Sequence, residues 1–274
     1  MCFFATKSSM KIRMKRKLAV VLLICISCHI GWAAQDFVWK SGQNMKVVCD
    51  TTEAPVVKVA LDLLKRDCRS VLSGEISRSE NTGNIYVGTW GESSVLQALA
   101  DTRQLDVAQL NEHKEAFLLN VLPDGRLVVA GSDKRGTAYG VLELSRMMGV
   151  SPWEWWADAV PEKKEEFRLP AGFRKLDYPQ VAYRGIFIND EDWGLTPWSW
   201  KHYEPSERKG QIGPKTHARI FELLLRLRAN TFWPAMHECS IPFFFTEGNK
   251  EMADKYAIYL GTSHCEPMMR NTNG

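Results

Sequence analysis

The sequence lacks the short motifs that mark several common classes of enzyme. It has no GxSxG, no HExxH and no glycine-rich loop leading into Lys-Ser or Lys-Thr, so serine-hydrolase, zinc-protease and P-loop phosphate chemistry are not indicated. Cysteine is sparse beyond residue 33, where Cys49, Cys68, Cys239 and Cys265 lie far apart without a CxxC pair. That spacing excludes a zinc-ribbon or redox motif, while a disulfide and buried free thiols both remain open.

Acidic residues are missing from residues 1–33, where six cations precede an uncharged apolar run that ends in Gly31-Trp32-Ala33. This order predicts a secretory signal peptide over 1–33, because the run is shorter than the roughly 20 residues of a membrane-spanning helix. We expect a secreted or periplasmic protein without a transmembrane segment after signal removal. A lipoprotein acylated at Cys28 is the alternative, although Cys25-Ile26-Ser27 matches a lipobox poorly.

Loss of those six cations changes the formal net charge from +3 to −3. A chain with a small negative charge has no electrostatic reason to bind nucleic acid. We therefore expect no nucleic-acid partner.

Residues 36–175 mix helical and strand-like patterns. Apolar residues recur every three or four positions in 51–74, which predicts an amphipathic helix, and 134–150 predict a second helix that ends at Gly149. Residues 84–90 predict a short strand, and 116–132 predict a hairpin that turns at a Pro-Asp-Gly sequence. Because regular strand–helix alternation is missing, we expect a small N-terminal α+β domain over 36–175.

A different pattern begins after residues 160–179, a Pro-, Lys- and Glu-rich stretch that favours a solvated linker or an exposed edge. From residue 183 the chain predicts strands and helices in βαβαβ order, the opening of a parallel sheet. The predicted strands are 185–188, 231–236 and a short third strand that brings in 263–268, and the predicted helices are 214–230 and 249–261. A closed (β/α)8 (TIM) barrel needs on the order of 250 residues. We therefore expect 183–274 to be an incomplete start of such a barrel, with a small open α/β domain as the alternative.

Polar side chains follow all three predicted strands. The carboxyl ends of parallel barrel strands meet at one rim, and the chemistry of such enzymes lies there. Helix capping and ordinary hydrogen bonding are the structural alternative. The residues are Asn189, Asp190, Glu191 and Asp192 after the first strand, His237 and Glu238 after the second, and His264 and Glu266 after the third.

Tryptophan is frequent on the same loops, at positions 193, 198, 200 and 233. Indole faces suit the apolar faces of sugar rings, while acids and amides bind the hydroxyls. Trp233 is the favoured sugar contact because it shortly precedes His237 and Glu238. The two His/Glu pairs could also bind a metal, but they lie on separate strands without HExxH spacing. We expect neither a metal nor a cofactor.

Three segments in order, YRGIFINDEDWGL (183–195), ANTFWPAMHE (229–238) and HCEPMMRN (264–271), resemble the start of the catalytic barrel of glycoside hydrolase family 115. Residues 130–158 resemble the small α+β domain that precedes this barrel. The resemblance covers nearly everything after residue 33. It identifies the chain as the N-terminal portion of a xylan α-1,2-glucuronidase.

The resemblance implies hydrolysis of α-1,2-linked glucuronic acid, or of its 4-O-methyl ether, from a glucuronoxylan-type polysaccharide or oligosaccharide with inversion. It implies Asp190 and Trp233 as parts of the glucuronate pocket, with weaker candidates at Asn189, His237, Glu238, His264 and Glu266. Inversion needs one carboxylic acid and one carboxylate, and both are expected beyond Gly274, so the catalytic residues stay unassigned.

An anionic sugar also needs cationic or donor groups. Lys201, His202 and Arg208 on the first long loop are candidates, although solvated loop charge explains them as well. Arg135 is expected to brace the contact between the two domains instead of touching substrate.

Two alternatives to the hydrolase remain open. The chain could be a non-catalytic carbohydrate-binding protein with a tryptophan-rich rim, or an inactive fragment whose sheet is incomplete. An open barrel leaves an edge strand unpaired and apolar faces wet, so we expect negligible activity from these 274 residues alone.

Overall fold

The computed structural model describes residues 33–189, 192–263 and 266–270. Residues 35–274 form one compact unit, which is described below by itself. The predicted signal peptide, 1–33, lies outside the described residues except for Ala33.

The compact unit contains both helices and strands along its length. The helices are α1 (Pro55–Leu72), α2 (Ser94–Asp101), α3 (Lys134–Met148), α4 (Leu195–Trp198), α5 (Pro214–Arg226) and α6 (Asn249–Lys255). The strands are β1 (Phe37–Lys40), β2 (Asn44–Cys49), β3 (Glu75–Ser79), β4 (Ile85–Thr89), β5 (Phe117–Val121), β6 (Leu127–Gly131), β7 (Glu166–Leu169), β8 (Arg174–Asp177), β9 (Gly185–Phe187), β10 (Thr231–Trp233) and β11 (Tyr259–Leu260).

Six of these strands form a mixed sheet in the order β3-β2-β4-β6-β5-β8. The first four are parallel to one another, and β5 pairs antiparallel with both of its neighbours. β1 and β7 form a separate antiparallel pair. Residues 160–179 are therefore only partly the linker or edge that was predicted, because they supply β7 and the edge strand β8.

Helix α3 begins and ends where its sequence predicts, whereas α1 begins at Pro55 and ends at Leu72, inside the predicted range 51–74. Pro55 occupies the first turn of α1, and Asp133 caps α3 by accepting from the backbone N–H groups of Arg135 and Gly136 at 3.0 and 2.9 Å. Gly149 ends α3 with φ of 102°, a conformation that glycine adopts without steric cost.

The six-stranded sheet is covered on both faces. Its first face packs against α1 and α3, and the second packs against α2 and the turn that contains Leu110. The first of these cores continues without interruption into α5, through Ile220, Phe221 and Leu224. One hydrophobic core thus joins the six-stranded sheet to the elements that follow it.

Strands β9, β10 and β11 form a second sheet, which is parallel and has β10 in its centre. Helix α5 covers one face of it, where the Phe221 and Phe232 rings meet edge to face with centroids 5.4 Å apart. The fold is therefore mixed α/β, with a multi-strand mixed sheet followed by strand–helix units. The predicted domain bounds, 36–175 and 183–274, stay predictions.

The third strand of this sheet is not where the sequence predicts it. α6 ends at Lys255 instead of Gly261, and β11 occupies Tyr259–Leu260, which were predicted to be helical. The helix ends early because Ala257 takes a left-handed conformation, with φ of 55°. That conformation usually selects glycine, so alanine gave no signal of a helix end.

Buried ion pairs connect the helices between the two sheets. Asp67 on α1 accepts from both terminal nitrogens of Arg226 on α5, at 2.8 and 3.0 Å. Glu222 on α5 accepts from Arg226 at 3.1 Å and from Arg66 on α1. Because removal of one partner from a buried pair leaves an uncompensated charge, these pairs fix how α1 and α5 pack.

Candidate functional site

Because the strands are parallel, the carboxyl ends of β9, β10 and β11 lie at the same end of the small sheet, here called the rim. Phe187 pairs with Trp233, and Phe232 pairs with Leu260. Two further backbone hydrogen bonds extend the pairing beyond the strands, from Ile188 N–H to Trp233 O and from Gly261 N–H to Phe232 O, both at 2.9 Å. Residues that follow these strands therefore start from neighbouring positions.

The two faces of the small sheet differ in burial. Phe232 points into the core and is 1% exposed, whereas Phe187 and Trp233 are 37% and 41% exposed on the other face. Their rings meet edge to face with centroids 6.0 Å apart. This face forms the floor of an open cleft of about 330 Å³, lined by Tyr183, Gly185, Ile186, Phe187, Thr231 and Trp233.

Glycine is required beside the indole of Trp233. A Cβ at Gly261 would lie 2.0 Å from Nε1 of Trp233, well inside van der Waals contact. The indole therefore lies against Gly261, the residue that follows β11. An exposed aromatic face with adjacent polar groups is the type of surface that sugars contact.

The structure places the predicted site residues as follows. Asn189 is exposed two positions beyond the end of β9, and His237 and Glu238 are exposed in a turn four and five residues beyond β10. Glu266 is buried, at 1% exposure. Asp190, Glu191 and His264 lie outside the described residues, whereas Asp192 is exposed. Asn189 and Trp233 thus share the rim, and the roles predicted for all these residues stay predictions.

The cations predicted for the first long loop lie on and after a π-helical turn, Ser199–Tyr203. The Lys201 ammonium lies 5.1 Å from the centroid of the Trp200 ring, and Arg208 donates to the backbone oxygen of Phe245 at 3.2 Å. His202 is exposed. Arg208 therefore holds two loops together, in addition to any contact with an anion.

Trp198 belongs to an aromatic cluster, so its ring packs against other side chains instead of forming an open sugar surface. Its ring stacks on Tyr203 with centroids 4.8 Å apart, and Trp155 and Trp156 pack at its edge. The cluster joins the loop after β9 to the segment after α3. Trp193, in contrast, is 88% exposed beside the rim.

A buried charge cluster that the sequence did not reveal lies at the other end of the small sheet, where its strands begin. The Glu115 carboxylate accepts from Arg135 Nε at 2.6 Å, from Asn230 Nδ2 at 2.8 Å and from the Arg184 guanidinium. Arg135 also donates to Ala257 O at 3.2 Å, so it braces the two parts of the molecule as expected. The partners of Glu115 lie 20, 115 and 69 positions away, and no local pattern links them.

Burial and hydrogen bonding have opposite effects on the pKa values of two buried carboxylates, Glu115 and Glu143. Burial raises the pKa of Glu115, but hydrogen bonds from Asn230, Arg184 and Arg135 outweigh it, so the net pKa is lowered. The same balance at Glu143, where Arg146, Lys175 and Arg228 donate, lowers the pKa to about 2. Both groups are therefore ionised at neutral pH.

Two other titratable groups are unsuited to catalysis. Burial raises the pKa of the free Cys49 and Cys68 thiols to about 12, so neither is a thiolate nucleophile at neutral pH.

Across the described ranges, no three His, Cys, Asp or Glu side chains gather where they could hold a metal ion. Over the same residues, no helix has both the length and the apolar composition that crossing a bilayer requires.

Comparisons with known proteins agree with this architecture. The profile of Glycosyl hydrolase family 115 matches residues 176–274. The structure of BtGH115A, a family GH115 4-O-methyl-α-glucuronidase with specificity for decorated arabinogalactans, is 61% identical over 85% of this chain, with a TM-score of 0.82. This chain spans 30% of the length of that protein.

A more distant structure, CpGH84D, shares the fold. It is 14% identical, covers 84% of this chain and 35% of its own, and has a TM-score of 0.53. No curated protein matches the chain.

Proposed function

Because the chain belongs to glycoside hydrolase family 115, we propose that the protein removes α-linked glucuronic acid, or its 4-O-methyl ether, from the side chains of a polysaccharide. The observation that carries the proposal is the 61% identity, over 85% of this chain, with an enzyme described as a 4-O-methyl-α-glucuronidase. The exposed aromatic face at the rim supports it independently, because that surface is chemically suited to a sugar.

The three parallel strands are proposed to open a (β/α)8 barrel whose rim holds the sugar. Trp233 offers an indole face to the pyranose ring. Asn189 and Asp190 supply an amide and a carboxylate for its hydroxyl groups, and His237 and Glu238 lie further out beyond the rim. Hydrolysis with inversion at an α-1,2 linkage needs a general acid and a general base on opposite faces of the sugar. Neither role is assigned to a residue of this chain.

Two polymers are candidate substrates. The family resemblance in the rim segments favours glucuronoxylan, whereas the relative with 61% identity is specific for decorated arabinogalactans. Both carry uronic acid side chains, and the shared chemistry is the uronate at the non-reducing end. The predicted signal sequence supports export, as expected for an enzyme whose substrate is an extracellular polymer.

The test is release of uronic acid by the full-length gene product, measured side by side on glucuronoxylan and on a decorated arabinogalactan. Asp190→Ala is expected to reduce kcat/KM roughly 10- to 100-fold, because a hydrogen bond to a charged group is worth about 1.5–3 kcal/mol. Asp254→Ala, which removes an exposed carboxylate from α6, is the matched control and should leave the rate unchanged.

The outcomes separate the proposal from its alternatives. Sugar binding without release of uronic acid would indicate a carbohydrate-binding protein. Release from one polymer only would identify the substrate. Equal rates for the Asp190 and Asp254 variants would remove Asp190 from the glucuronate pocket.

A further inference from the structure

The Glu115 carboxylate is the meeting point of all three strands of the small sheet at their amino-terminal ends. Glu115 is 5% exposed and lies just before β5, in the six-stranded sheet's part of the chain. Its oxygens accept hydrogen bonds from Arg135, Arg184 and Asn230. This carboxylate is thus bound to two residues that adjoin the small sheet, Arg184 and Asn230, and to Arg135 on α3.

Two of the donors directly precede a strand of the small sheet, and the third contacts the remaining strand. Arg184 immediately precedes β9, and Asn230 immediately precedes β10. Arg135 reaches β11, because its guanidinium lies 4.2 Å from the centroid of the Tyr259 ring and donates to Ala257 O. The Asn230 side chain also accepts from the backbone N–H of Arg184 at 3.0 Å, so these two donors are bound to each other as well.

Glu115 itself is held in a fixed position. Its backbone has φ of 55°, a left-handed conformation that is unfavourable for a residue with a Cβ. Its N–H donates to Asp133 at 2.8 Å, and Asp133 is the residue that caps α3. Local strain persists where the surrounding contacts determine the conformation, so the position of this carboxylate is set by α3.

The strands are short enough to transmit a displacement from one end to the other. β9 and β10 have three residues each, which is about 10 Å at the usual rise per residue. A shift or tilt at the Glu115 end therefore moves Ile188, Trp233 and Gly261 at the rim. Reaction rates respond to such shifts, because misplacement by about 1 Å can cost roughly 100-fold.

We propose that Glu115 is a positioning residue for the reaction proposed above: by binding Arg184, Asn230 and Arg135 it sets the relative position of β9, β10 and β11 and so the geometry of the rim. This role rests on the proposed glucuronidase function, in which the rim holds the sugar. Glu115 acts only through the strands, and it does not touch the substrate.

The test compares Glu115→Gln with Glu143→Gln in the full-length protein. Glu143 is a matched control because it too is a buried carboxylate that accepts from three side chains, in this case Arg146, Lys175 and Arg228. None of these partners directly precedes a strand of the small sheet. Loss of thermal stability is expected for both variants, since both remove the charge of a buried carboxylate that pairs with two or more cationic side chains.

Only the Glu115 variant is expected to disturb the rim. Glu115→Gln should lower kcat roughly 10- to 100-fold with a smaller change in KM, whereas Glu143→Gln should keep kcat within about threefold of wild type by the same argument. Hydrogen exchange gives a second readout that needs no substrate. The amides of Ile188 and Gly261, which bond across the rim, should exchange at least about tenfold faster in Glu115→Gln and unchanged in Glu143→Gln.

Arg135→Lys keeps the proposal testable if Glu115→Gln does not fold. Lysine cannot reproduce the planar, several-donor contact of arginine, so this change weakens the link to β11 alone. Exchange should then rise at Gly261 and stay unchanged at Ile188. Unaltered exchange at both amides, or equal losses of kcat in the Glu115 and Glu143 variants, would overturn the proposal. Absence of uronic acid release by the wild-type protein would reject the proposed function instead, and exchange would still decide whether Glu115 positions the strands.

Discussion

The two sheets differ in how their faces are covered. All five residues of β4, in the six-stranded sheet, are buried, whereas all three residues of β9, in the small sheet, are exposed. Parallel strands are normally covered on both faces, so a parallel sheet with an open aromatic face is unusual. Exposed apolar surface of this kind marks a site of contact with a ligand or another segment.

Within the small sheet, one face contributes to stability and the other is available to bind a ligand. The face of β10 that carries Phe232 packs on α5, and the face that carries Trp233 lies in the open cleft. These two neighbouring aromatic residues have opposite surroundings. Substitutions on the two faces should therefore affect different measurements, folding for one and sugar processing for the other.

Phe232→Ala is expected to have the largest effect. Phe232 is 1% exposed and contacts the rings of His217 and Phe221, so its removal should destabilise the protein by about 3–5 kcal/mol. Chemical denaturation monitored by circular dichroism measures the loss. Phe245→Ala, which removes a phenylalanine that is 65% exposed, serves as the control and should cost about 0.5 kcal/mol or less. Equal losses would mean that the packed face contributes no more than the surface.

The sequence predicted those elements that depend on residues close to one another in the chain. α1 and α3 were predicted because apolar residues at helical spacing and a local cap or glycine are visible within one segment. β9 and β10 were predicted, and the parallel order followed from the intervening helix α5. These features are encoded by residues that are close in the chain.

The features that were missed depend on tertiary structure. β7 alternates exposed Glu166 and Arg168 with buried Phe167 and Leu169, and the surrounding Lys and Glu residues obscured that alternation. α6 ends at a left-handed alanine, which no sequence rule anticipates. The Glu115 cluster joins residues up to 115 positions apart. Of the predicted site residues, Asn189 and Trp233 lie at the rim, His237 and Glu238 are exposed in a turn beyond it, and Glu266 is buried, while Asp190 and His264 lie outside the described residues.

Acidification is expected to destabilise the protein through His217, which packs against Phe232. The expected loss is somewhat smaller than that for Phe232→Ala. Burial lowers the pKa of His217 to about 4 from an ordinary value of 6.5, although Gly213 and Asn249 accept its hydrogen bonds. Below pH 6.5 the unfolded chain binds a proton that the folded chain does not. This contribution to stability is therefore complete above pH 6.5 and is lost as pH falls toward 4, by about 3 kcal/mol in total.

The measurement is the free energy of unfolding at several pH values between 7 and 4, in wild type and in His217→Asn. Asparagine keeps a donor for Gly213 but does not titrate, so the variant should start less stable and show a smaller fall over this range. A pH dependence that is unchanged in the variant would assign the acid sensitivity to other groups.

Trp233→Ala is expected to have the smallest effect in free energy and to act on the reaction, not on folding. The indole is already 41% exposed, so its removal should lower kcat/KM for uronic acid release roughly 10- to 100-fold, or about 1.4–2.7 kcal/mol, with little change in unfolding. Gly261→Ala tests position separately, because its methyl group would lie 2.0 Å from the indole nitrogen and displace the ring. A rate lowered by both substitutions requires the indole at its present place against Gly261. A rate lowered by Trp233→Ala alone requires only an aromatic group on the open face, and two unchanged rates would leave that face without a role in sugar binding.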